Sequence, residues 1–318
     1  MNKEVHNPGE KSWNAGRLPA RVMVLSGEQD MLGWAMAQEL RAAGCELILE
    51  SKDRVQGWET QAWCRHLEAL EPDLVINTLS YTDPDLAEQE PRKAFYWNKE
   101  LPRALACAAR TLGVGLVFFS SDCVFDGKHQ TPYTIQDMPN PLSVYGQSFW
   151  AGERALLDSG LENLLIIRSS WLFGPFGPNF VDWVLNQGRR CQCLYLAHDQ
   201  IGSPTYSKDL AAYALRLLAH KVTGIHHVCN SGQASWCELA AETLNACGCT
   251  CKVQAVHTRV QDCPSPRPLF SVLDSRQSMA LAGTKARPWP QALREYIFRF
   301  HPQEVQSEDR ESSYETRT

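Results

Sequence analysis

The sequence predicts an α/β protein built on a doubly wound parallel sheet, with a smaller lobe in its C-terminal part. Short apolar runs alternate with helical segments through the first half of the chain, and this alternation predicts the sheet. The predicted strands span 21–26, 45–50, 73–77, 115–120 and 163–168. The predicted helices span 32–43, 58–69 and 143–158, with one or two further helices over 90–112. Strands and helices that alternate in this way form right-handed βαβ units, whose parallel sheet is covered on both faces.

The second half of the chain is more mixed, and this predicts the smaller lobe. Predicted helices span 179–186, 207–219, 235–246 and 289–300, and predicted strands span 194–197 and 224–229. Ser207 is expected to cap one helix. Ser235 is expected to cap another, within a capping box completed by Glu238.

Composition and charge exclude several classes of protein. The chain has 318 residues, of which 44% are hydrophobic and 21% charged, and its net charge is −5. This is ordinary for a globular protein and lacks the basic character of a nucleic-acid-binding one. No run approaches the roughly 20 apolar residues of a membrane span, and residues 1–20 lack the apolar segment of a secretory signal. We expect a cytoplasmic protein without membrane or nucleic-acid partners.

Twelve cysteines raise the question of metal binding or disulfides. Most are scattered, and the one concentration comprises Cys247, Cys249 and Cys251, with Cys191 and Cys193 as a separate pair. No CxxC pair and no suitably spaced histidine accompanies them, so reduced free thiols are favoured over zinc.

The turn after the first strand has the spacing of a dinucleotide-binding site. Gly27 and Gly33 stand at the ends of a GxxGxxG pattern, where the first allows a tight turn and the last allows close helix–strand packing. The helix that starts near Met31 and Leu32 would then offer its unpaired N–H groups to a pyrophosphate. This position makes the domain Rossmann-type.

The middle position of that pattern is Asp30 rather than glycine. A carboxylate about 5 Å from a phosphate charge makes the binding free energy less favourable by about 3 kcal/mol at an effective dielectric of 20. If the Asp30 side chain faces the phosphates, dinucleotide binding is therefore weakened or lost. If it rotates outward, it serves as a helix cap. Glu50, at the end of the second strand, either holds a ribose or is a solvated strand end, while Lys52 and Arg54 would favour a 2′-phosphate.

Colinear motifs from about Arg21 to Phe300 resemble the dTDP-4-dehydrorhamnose reductases, a family of the extended short-chain dehydrogenase/reductase superfamily. The segments that carry the resemblance are Asn77–Thr82 (NTLSYT), Asp85–Pro91 (DLAEQEP) with Asn98, Ser120–Gly127 (SSDCVFDG), Pro141–Gly146 (PLSVYG), Ala151–Glu153 (AGE), Arg168–Gly174 (RSSWLFG), Asp199–Tyr206 (DQIGSPTY), Asp209–Ala211 (DLA), and Arg267–Pro268 with Leu273–Asp274.

The resemblance implies reduction of a C4 keto group on a nucleotide-linked sugar by NADPH or NADH. It makes Tyr145 the proton donor and Ser121 the hydroxyl that hydrogen-bonds the same oxygen. The resemblance, together with the glycine turn and the end of the second strand, predicts a set of cofactor contacts. These are Gly27, Asp30, Met31, Leu32, Gly33, Glu50, Leu79, Ser80, Tyr81 and Asn98. The implied substrate contacts are Asp122, Trp171, Gln200, Thr205 and Arg267. Trp171 is alternatively a core residue and Arg267 a surface one.

One expected catalytic residue is missing. The family's lysine, one helical turn after the tyrosine, is replaced by Phe149. A lysine there would lie on the tyrosine's face of the helix, lower the phenol pKa by about 1–3 units and bind the nicotinamide ribose. No lysine occurs between Lys128 and Lys208, and Arg154 is too far along the helix to substitute.

Three functions therefore remain open: a reductase serving dTDP-rhamnose and surface polysaccharide synthesis, a regulatory or impaired member of the family, and an epimerase or dehydratase. Composition predicts a flexible leader at 1–20 and a disordered tail at 301–318. Between them we expect an NAD(P)-binding domain at 21–170 and a mainly substrate-binding lobe at 171–300, with elements that return to the Rossmann sheet. The resemblance also associates magnesium with the family, although no carboxylate cluster demands a metal. A homodimer or a partner enzyme is a further expectation.

Overall fold

The computed structural model describes residues 17–25, 30–258 and 264–302. Gly27, most of the predicted leader and nearly all of the predicted tail lie outside these residues. The helices are α1 (Met31–Ala42), α2 (Lys52–Val55), α3 (Thr60–Leu70), α4 (Pro84–Gln89), α5 (Pro91–Phe95), α6 (Leu101–Leu112), α7 (Val144–Leu157), α8 (Phe180–Gly188), α9 (Ser207–Ala219), α10 (Trp236–Ala246), α11 (Arg276–Leu281) and α12 (Trp289–Phe300). The strands are β1 (Arg21–Leu25), β2 (Glu46–Glu50), β3 (Leu74–Asn77), β4 (Gly115–Ser121), β5 (Leu164–Ser169), β6 (Leu172–Phe173), β7 (Cys193–Ala197), β8 (Ile201–Gly202), β9 (Thr205–Tyr206), β10 (Gly224–His227), β11 (Ala234–Ser235) and β12 (Lys252–Val256).

The central sheet confirms the predicted fold class. Its six strands are all parallel and run in the order β2-β1-β3-β4-β5-β10. The order reverses between β1 and β3, and ligands of doubly wound sheets bind in the crevice at such a switch point. The Thr78 hydroxyl joins the carboxyl ends of these two strands by donating to the Leu25 carbonyl at 2.6 Å.

Apolar side chains on both faces of the sheet explain why its strands are almost continuously hydrophobic. One face packs against α3, α6 and α7 in a core that includes Met23, Trp63, Leu105, Phe118 and Ile166. The other face packs against α1 and α9 in a second core that includes Val22, Val24, Met36, Leu210 and Leu217. β4, which carries the predicted catalytic serine, is buried along its whole length.

The smaller lobe is formed by α8, α10 and α12 with three two-stranded sheets, which pair β11 with β8, β12 with β7 and β6 with β9. Its main core includes Phe173, Val181, Leu239, Leu293 and Tyr296. No helix in the described parts of the chain is long and apolar enough to cross a bilayer.

Several local predictions are refined or corrected. The Ser235–Glu238 capping box is confirmed. The prediction for Ser207 was wrong, because α9 starts at Ser207 and its cap is Tyr206, which makes no side-chain capping bond. The segment 90–112, predicted as one or two helices, forms α5 and α6 with a π-helical turn at Tyr96–Glu100 between them.

Candidate active site

Tyr145 and Ser121 are brought together by the close approach of α7 to the end of β4. The Ser143 hydroxyl caps α7 by accepting the Gly146 N–H at 3.2 Å. A side chain at Gly146 would clash, because a Cβ there would lie 2.1 Å from the Cys123 carbonyl oxygen. The helix therefore starts directly against the turn after β4, and the Ser121 hydroxyl interacts with the Tyr145 phenol.

The environment of Tyr145 keeps its phenol protonated. Burial is the main cause that raises its pKa above the ordinary value, and the neighbouring Cys123 and Asp122 raise it further. The Ser121 hydroxyl and the Arg267 guanidinium act in the opposite direction. A protonated phenol is the form that a general acid needs at the start of a reduction.

Phe149 occupies the lysine position as a core residue. Only 3% of its surface is exposed. Its ring lies edge-on to Tyr145 and also contacts Phe118, with centroids 6.2 Å apart. The ring fills space but offers neither a charge nor a hydrogen bond to the site.

The predicted cofactor turn at Leu79, Ser80 and Tyr81 follows β3 and is held by Asn98. The Asn98 side-chain oxygen accepts the Tyr81 N–H at 2.7 Å, and its amide donates to the Ser148 hydroxyl at 2.9 Å. Asn98 is fully buried, and its side chain supports this turn from within the fold. It also ties the turn to α7, the helix that carries Tyr145.

Asp30 caps α1, as one of the two interpretations of the sequence expected. Its carboxylate accepts the Gly33 N–H at 2.8 Å, and Leu32 donates a further backbone hydrogen bond to it. Burial raises the Asp30 pKa to about 6, against these hydrogen bonds and the nearby Lys52 ammonium. Two N–H groups at the start of α1 thus already donate hydrogen bonds to a carboxyl group whose pKa is raised.

Glu50 is not the solvated strand end that one interpretation expected. Only 3% of its surface is exposed, and its carboxylate lies 2.8 Å from the His66 imidazole and 3.3 Å from the Arg54 guanidinium. The packing of α3 against the sheet buries this strand end, a contact that the local sequence does not reveal. Lys52 lies beside it with its ammonium 4.4 Å from the centre of the Trp97 ring.

Trp171 and Trp236 form a stacked pair on the side of the smaller lobe. Their ring centres are 3.5 Å apart and their planes differ by 2°. The Trp236 indole donates to the Gln200 side chain at 2.9 Å, and Gln200 donates to Thr258 at 3.1 Å. Both tryptophans are partly exposed, so Trp171 belongs to an aromatic wall and not to the interior of the core.

Other predicted substrate residues are held by internal bonds. Asp122 accepts the Ser271 hydroxyl at 2.5 Å, and burial raises its pKa to about 6. Thr205 is fully buried and donates to the Ser203 carbonyl at 3.0 Å. Arg267 is a partly buried residue whose guanidinium contacts Asp85 at 2.9 Å.

The residues missed by the sequence analysis are Cys123, Ser148, Trp236 and Ser271. Ser148, Trp236 and Ser271 reach the site through contacts between distant segments, whereas Cys123 lies within the Ser120–Gly127 motif next to Asp122. Among the described residues, no group of three or more histidine, cysteine or acidic side chains is arranged to hold a metal ion. All cysteines in the described ranges are free thiols.

Comparison with known proteins agrees with this geometry. The RmlD substrate binding domain family matches residues 21–301. The spore coat polysaccharide biosynthesis protein SpsK of Bacillus subtilis is 35% identical, over 86% of this chain and 96% of the relative. The dTDP-4-dehydrorhamnose reductase of Mycolicibacterium smegmatis is 31% identical, over 87% of this chain and 85% of the relative.

Solved structures give the same result. A crystal structure of a dTDP-4-dehydrorhamnose reductase from Clostridium acetobutylicum superimposes with a TM-score of 0.83 at 31% identity, covering 87% of this chain and 98% of that one. The Bacillus anthracis dTDP-4-dehydrorhamnose reductase in complex with NADP superimposes with a TM-score of 0.83 at 28% identity, covering 88% of this chain and 99% of that one.

A doubly wound sheet with a serine–tyrosine pair at the carboxyl end of one of its strands, joined to a smaller lobe, defines an extended short-chain dehydrogenase/reductase. The matches above are specific enough to go one step further. The chain belongs to the dTDP-4-dehydrorhamnose reductase family.

Proposed function

We propose that this protein reduces the C4 keto group of a dTDP-linked deoxysugar, dTDP-4-dehydrorhamnose or a close analogue, with NADPH or NADH. The proposal is carried by the position of the Tyr145 phenol, whose pKa is raised mainly by burial, beside the Ser121 hydroxyl at the carboxyl end of β4. A carbonyl oxygen placed between these two groups would receive a hydrogen bond from the serine and a proton from the tyrosine.

The crevice at the switch point fits a dinucleotide in outline. The turn after β3 is held in place by Asn98, and Lys52 provides a cation beside the end of β2. When bound, the nicotinamide supplies the hydride. Asp30 is the one unfavourable group, but a carboxyl group with a pKa of about 6 accepts a proton readily when a phosphate approaches, which removes the repulsion.

The end of β2 favours NADPH over NADH. An acidic residue that selects NADH must present its carboxylate to the ribose hydroxyls, whereas Glu50 is buried and paired with His66 and Arg54. Lys52 and Arg54 place two cations in the segment that follows, where a 2′-phosphate would lie. We therefore expect a lower KM for NADPH than for NADH, and the Lys52→Ala variant should lose most of that difference.

The substrate would lie between Tyr145 and the tryptophan pair of the smaller lobe. Trp171 and Trp236 present an aromatic wall, and Gln200 is oriented by its bonds to Trp236 and Thr258. A cleft of this kind, with one aromatic wall and a few oriented polar groups, suits a nucleotide-linked sugar. The name of the Bacillus subtilis relative supports a place in surface polysaccharide synthesis.

The direct test is NADPH consumption with dTDP-4-dehydrorhamnose, accompanied by calorimetric titration of each ligand alone. Turnover that depends on the sugar supports the proposal. A folded protein that binds dinucleotide without turnover would support the second candidate, a regulatory family member, which is favoured by one observation: a buried phenylalanine occupies the lysine position.

A further inference from the structure

Ser169 is the last residue of β5 and is paired in register with Ser121, the last residue of β4. Because the two strands are parallel and the residues are partners, their side chains project from the same face of the sheet. That face is the one covered by α1 and α9, since Phe119 and Ile167, two residues earlier on each strand, belong to its core. Ser169 therefore lies one strand beyond the catalytic serine, at a spacing of about 5 Å.

The Ser169 hydroxyl is buried without a hydrogen-bond partner among the described residues. Only 5% of the surface of this residue is exposed. The next serine behaves differently, because the Ser170 hydroxyl donates to the Ser203 carbonyl at 2.8 Å and accepts the Ser203 N–H at 3.2 Å. A buried hydroxyl that lacks a partner destabilises the fold, since it has lost its hydrogen bonds to water. Its position at the carboxyl edge of the sheet points to a ligand that supplies the partner.

The chain that follows Ser169 runs back to the start of α1. After β6, Gly174 and Gly177 approach this helix so closely that a Cβ on either glycine would lie 3.2 Å from the Met31 side chain. The segment 169–177 therefore borders the crevice from the serine–tyrosine pair to the helix N-terminus that would face a pyrophosphate. A dinucleotide that follows the same path has its nicotinamide next to the serine–tyrosine pair, and hence next to Ser169.

We propose that the Ser169 hydroxyl hydrogen-bonds the carboxamide of the nicotinamide and so orients the ring in front of Tyr145. This rests on the proposed reductase function, because the crevice is taken as the dinucleotide site. A hydroxyl both donates and accepts hydrogen bonds, and a carboxamide offers one carbonyl oxygen and one NH₂ group to it. Two serines on neighbouring strands thus divide the work: Ser121 serves the substrate oxygen, and Ser169 serves the cofactor.

The first experiment compares Ser169→Ala with Ser170→Ala, a matched pair of adjacent buried serines. Ser169→Ala should raise the Tm of the ligand-free protein by about 2 °C or more, because it removes an unsatisfied hydroxyl, and should raise the Kd for NADPH by about tenfold. Ser170→Ala breaks two hydrogen bonds, so it should lower the Tm and leave the Kd for NADPH unchanged. A lower Tm in Ser169→Ala would mean that the hydroxyl has a partner within the fold, and an unchanged Kd would mean that it does not meet the cofactor. Either result overturns the proposal.

The second experiment locates the contact along the cofactor by calorimetric titration of the parent and Ser169→Ala with two probes. The first probe, 2′,5′-ADP, lacks the nicotinamide, so both proteins should bind it with the same Kd. Weaker binding of this probe by the variant would place the effect at the adenosine end and overturn the proposal. The second probe is dTDP-glucose, whose Kd should also be the same for both proteins. A higher Kd for dTDP-glucose with an unchanged Kd for NADPH would assign the serine to the substrate and overturn the proposal.

Ser169→Thr is the rescue variant, because it keeps a hydroxyl at the same strand position and should bind NADPH as the parent does. Equal weakening by alanine and threonine would show that side-chain volume matters and not the hydroxyl, which would overturn the proposal. None of these measurements requires turnover. Weaker NADPH binding by Ser169→Ala, in a protein that does not reduce the sugar, would support the cofactor contact and contradict only the reductase function. An active reductase whose NADPH affinity is independent of Ser169 would overturn the proposal and leave the reductase function intact.

Discussion

The Phe149 ring lies edge-on to the Tyr145 ring, with centroids 5.0 Å apart and planes inclined at 71°. This is a favourable aromatic geometry, and it holds the tyrosine against the hydrophobic core formed with Phe118. The position where the family resemblance implies a charged lysine therefore supplies packing here. The Phe149 ring holds Tyr145 in place but gives it no electrostatic support.

Phe149→Lys should speed the chemical step. A lysine on the tyrosine's face of α7 supplies a charge that stabilises the tyrosinate, so we expect kcat to rise by about tenfold or more, and the KM for NADPH should fall because the lysine can bind the nicotinamide ribose. The variant should also have a lower Tm, since a buried ammonium replaces a buried ring. Phe149→Met is the apolar control. An unchanged kcat in a folded variant would show that the parent does not depend on a cation at this position.

Tyr145→Phe should abolish most of the activity without unfolding the protein. Only the phenolic oxygen is removed, so the expected loss in kcat is about 10²–10⁴-fold, with dinucleotide affinity preserved. Ser121→Ala should cost less, because the serine donates a hydrogen bond but no proton. Steady-state kinetics and titration of NADPH measure the two effects separately, and comparable activity in Tyr145→Phe would show that another group is the acid.

NADPH binding should weaken as the pH rises through the Asp30 pKa of about 6. The phosphates favour the protonated carboxyl group, so binding takes up a proton and Kd rises by up to about tenfold per pH unit above that value. Asp30→Asn retains a good helix cap and should bind NADPH more tightly at pH 8 with a flatter pH dependence. Asp158→Asn, on the exposed C-terminal end of α7, should behave as the parent. Parallel pH profiles of Kd for the parent and Asp30→Asn would exclude this mechanism.

The same carboxyl group should affect stability with a defined sign. The folded-state pKa of Asp30 lies above the ordinary value of 3.8. The free energy of unfolding that the protonated carboxyl group contributes is therefore fully present below about pH 4 and is lost as the pH rises through about 6. Asp30→Asn should therefore stabilise the protein at pH 8, by at most about 3 kcal/mol, and change its stability little at pH 4. Urea unfolding at the two pH values tests this; equal changes at both would contradict the sign.

Trp236→Ala should weaken substrate binding more than it slows the chemical step. The substitution removes both the stacking partner of Trp171 and the hydrogen-bond donor to Gln200. We therefore expect the KM for the sugar nucleotide to rise by about tenfold or more, the effect of losing one stacked aromatic ring and one hydrogen bond. Tyr195→Ala, at an exposed aromatic of the same lobe, serves as the control. An unchanged KM would place the sugar nucleotide away from the tryptophan pair.

The sequence predicted what depends on local pattern. The central strands, the main helices and the Ser235–Glu238 capping box follow from periodicity and local spacing, and the family resemblance implied the pairing of Ser121 with Tyr145. What the sequence could not predict depends on contacts between distant segments: the burial of Glu50 by α3, the stacking of Trp171 on Trp236, and the contact of Arg267 with Asp85 from more than a hundred residues away in the chain.

The most direct test of the reductase account is hydride transfer itself. The protein is incubated with dTDP-4-dehydrorhamnose and NADPH carrying deuterium at the transferable position of the nicotinamide, and the sugar product is analysed by mass spectrometry. We predict a product with one deuterium bound to C4, formed by the parent and almost absent with Tyr145→Phe. Unchanged, unlabelled sugar recovered from a folded protein that is saturated with both ligands would contradict the account.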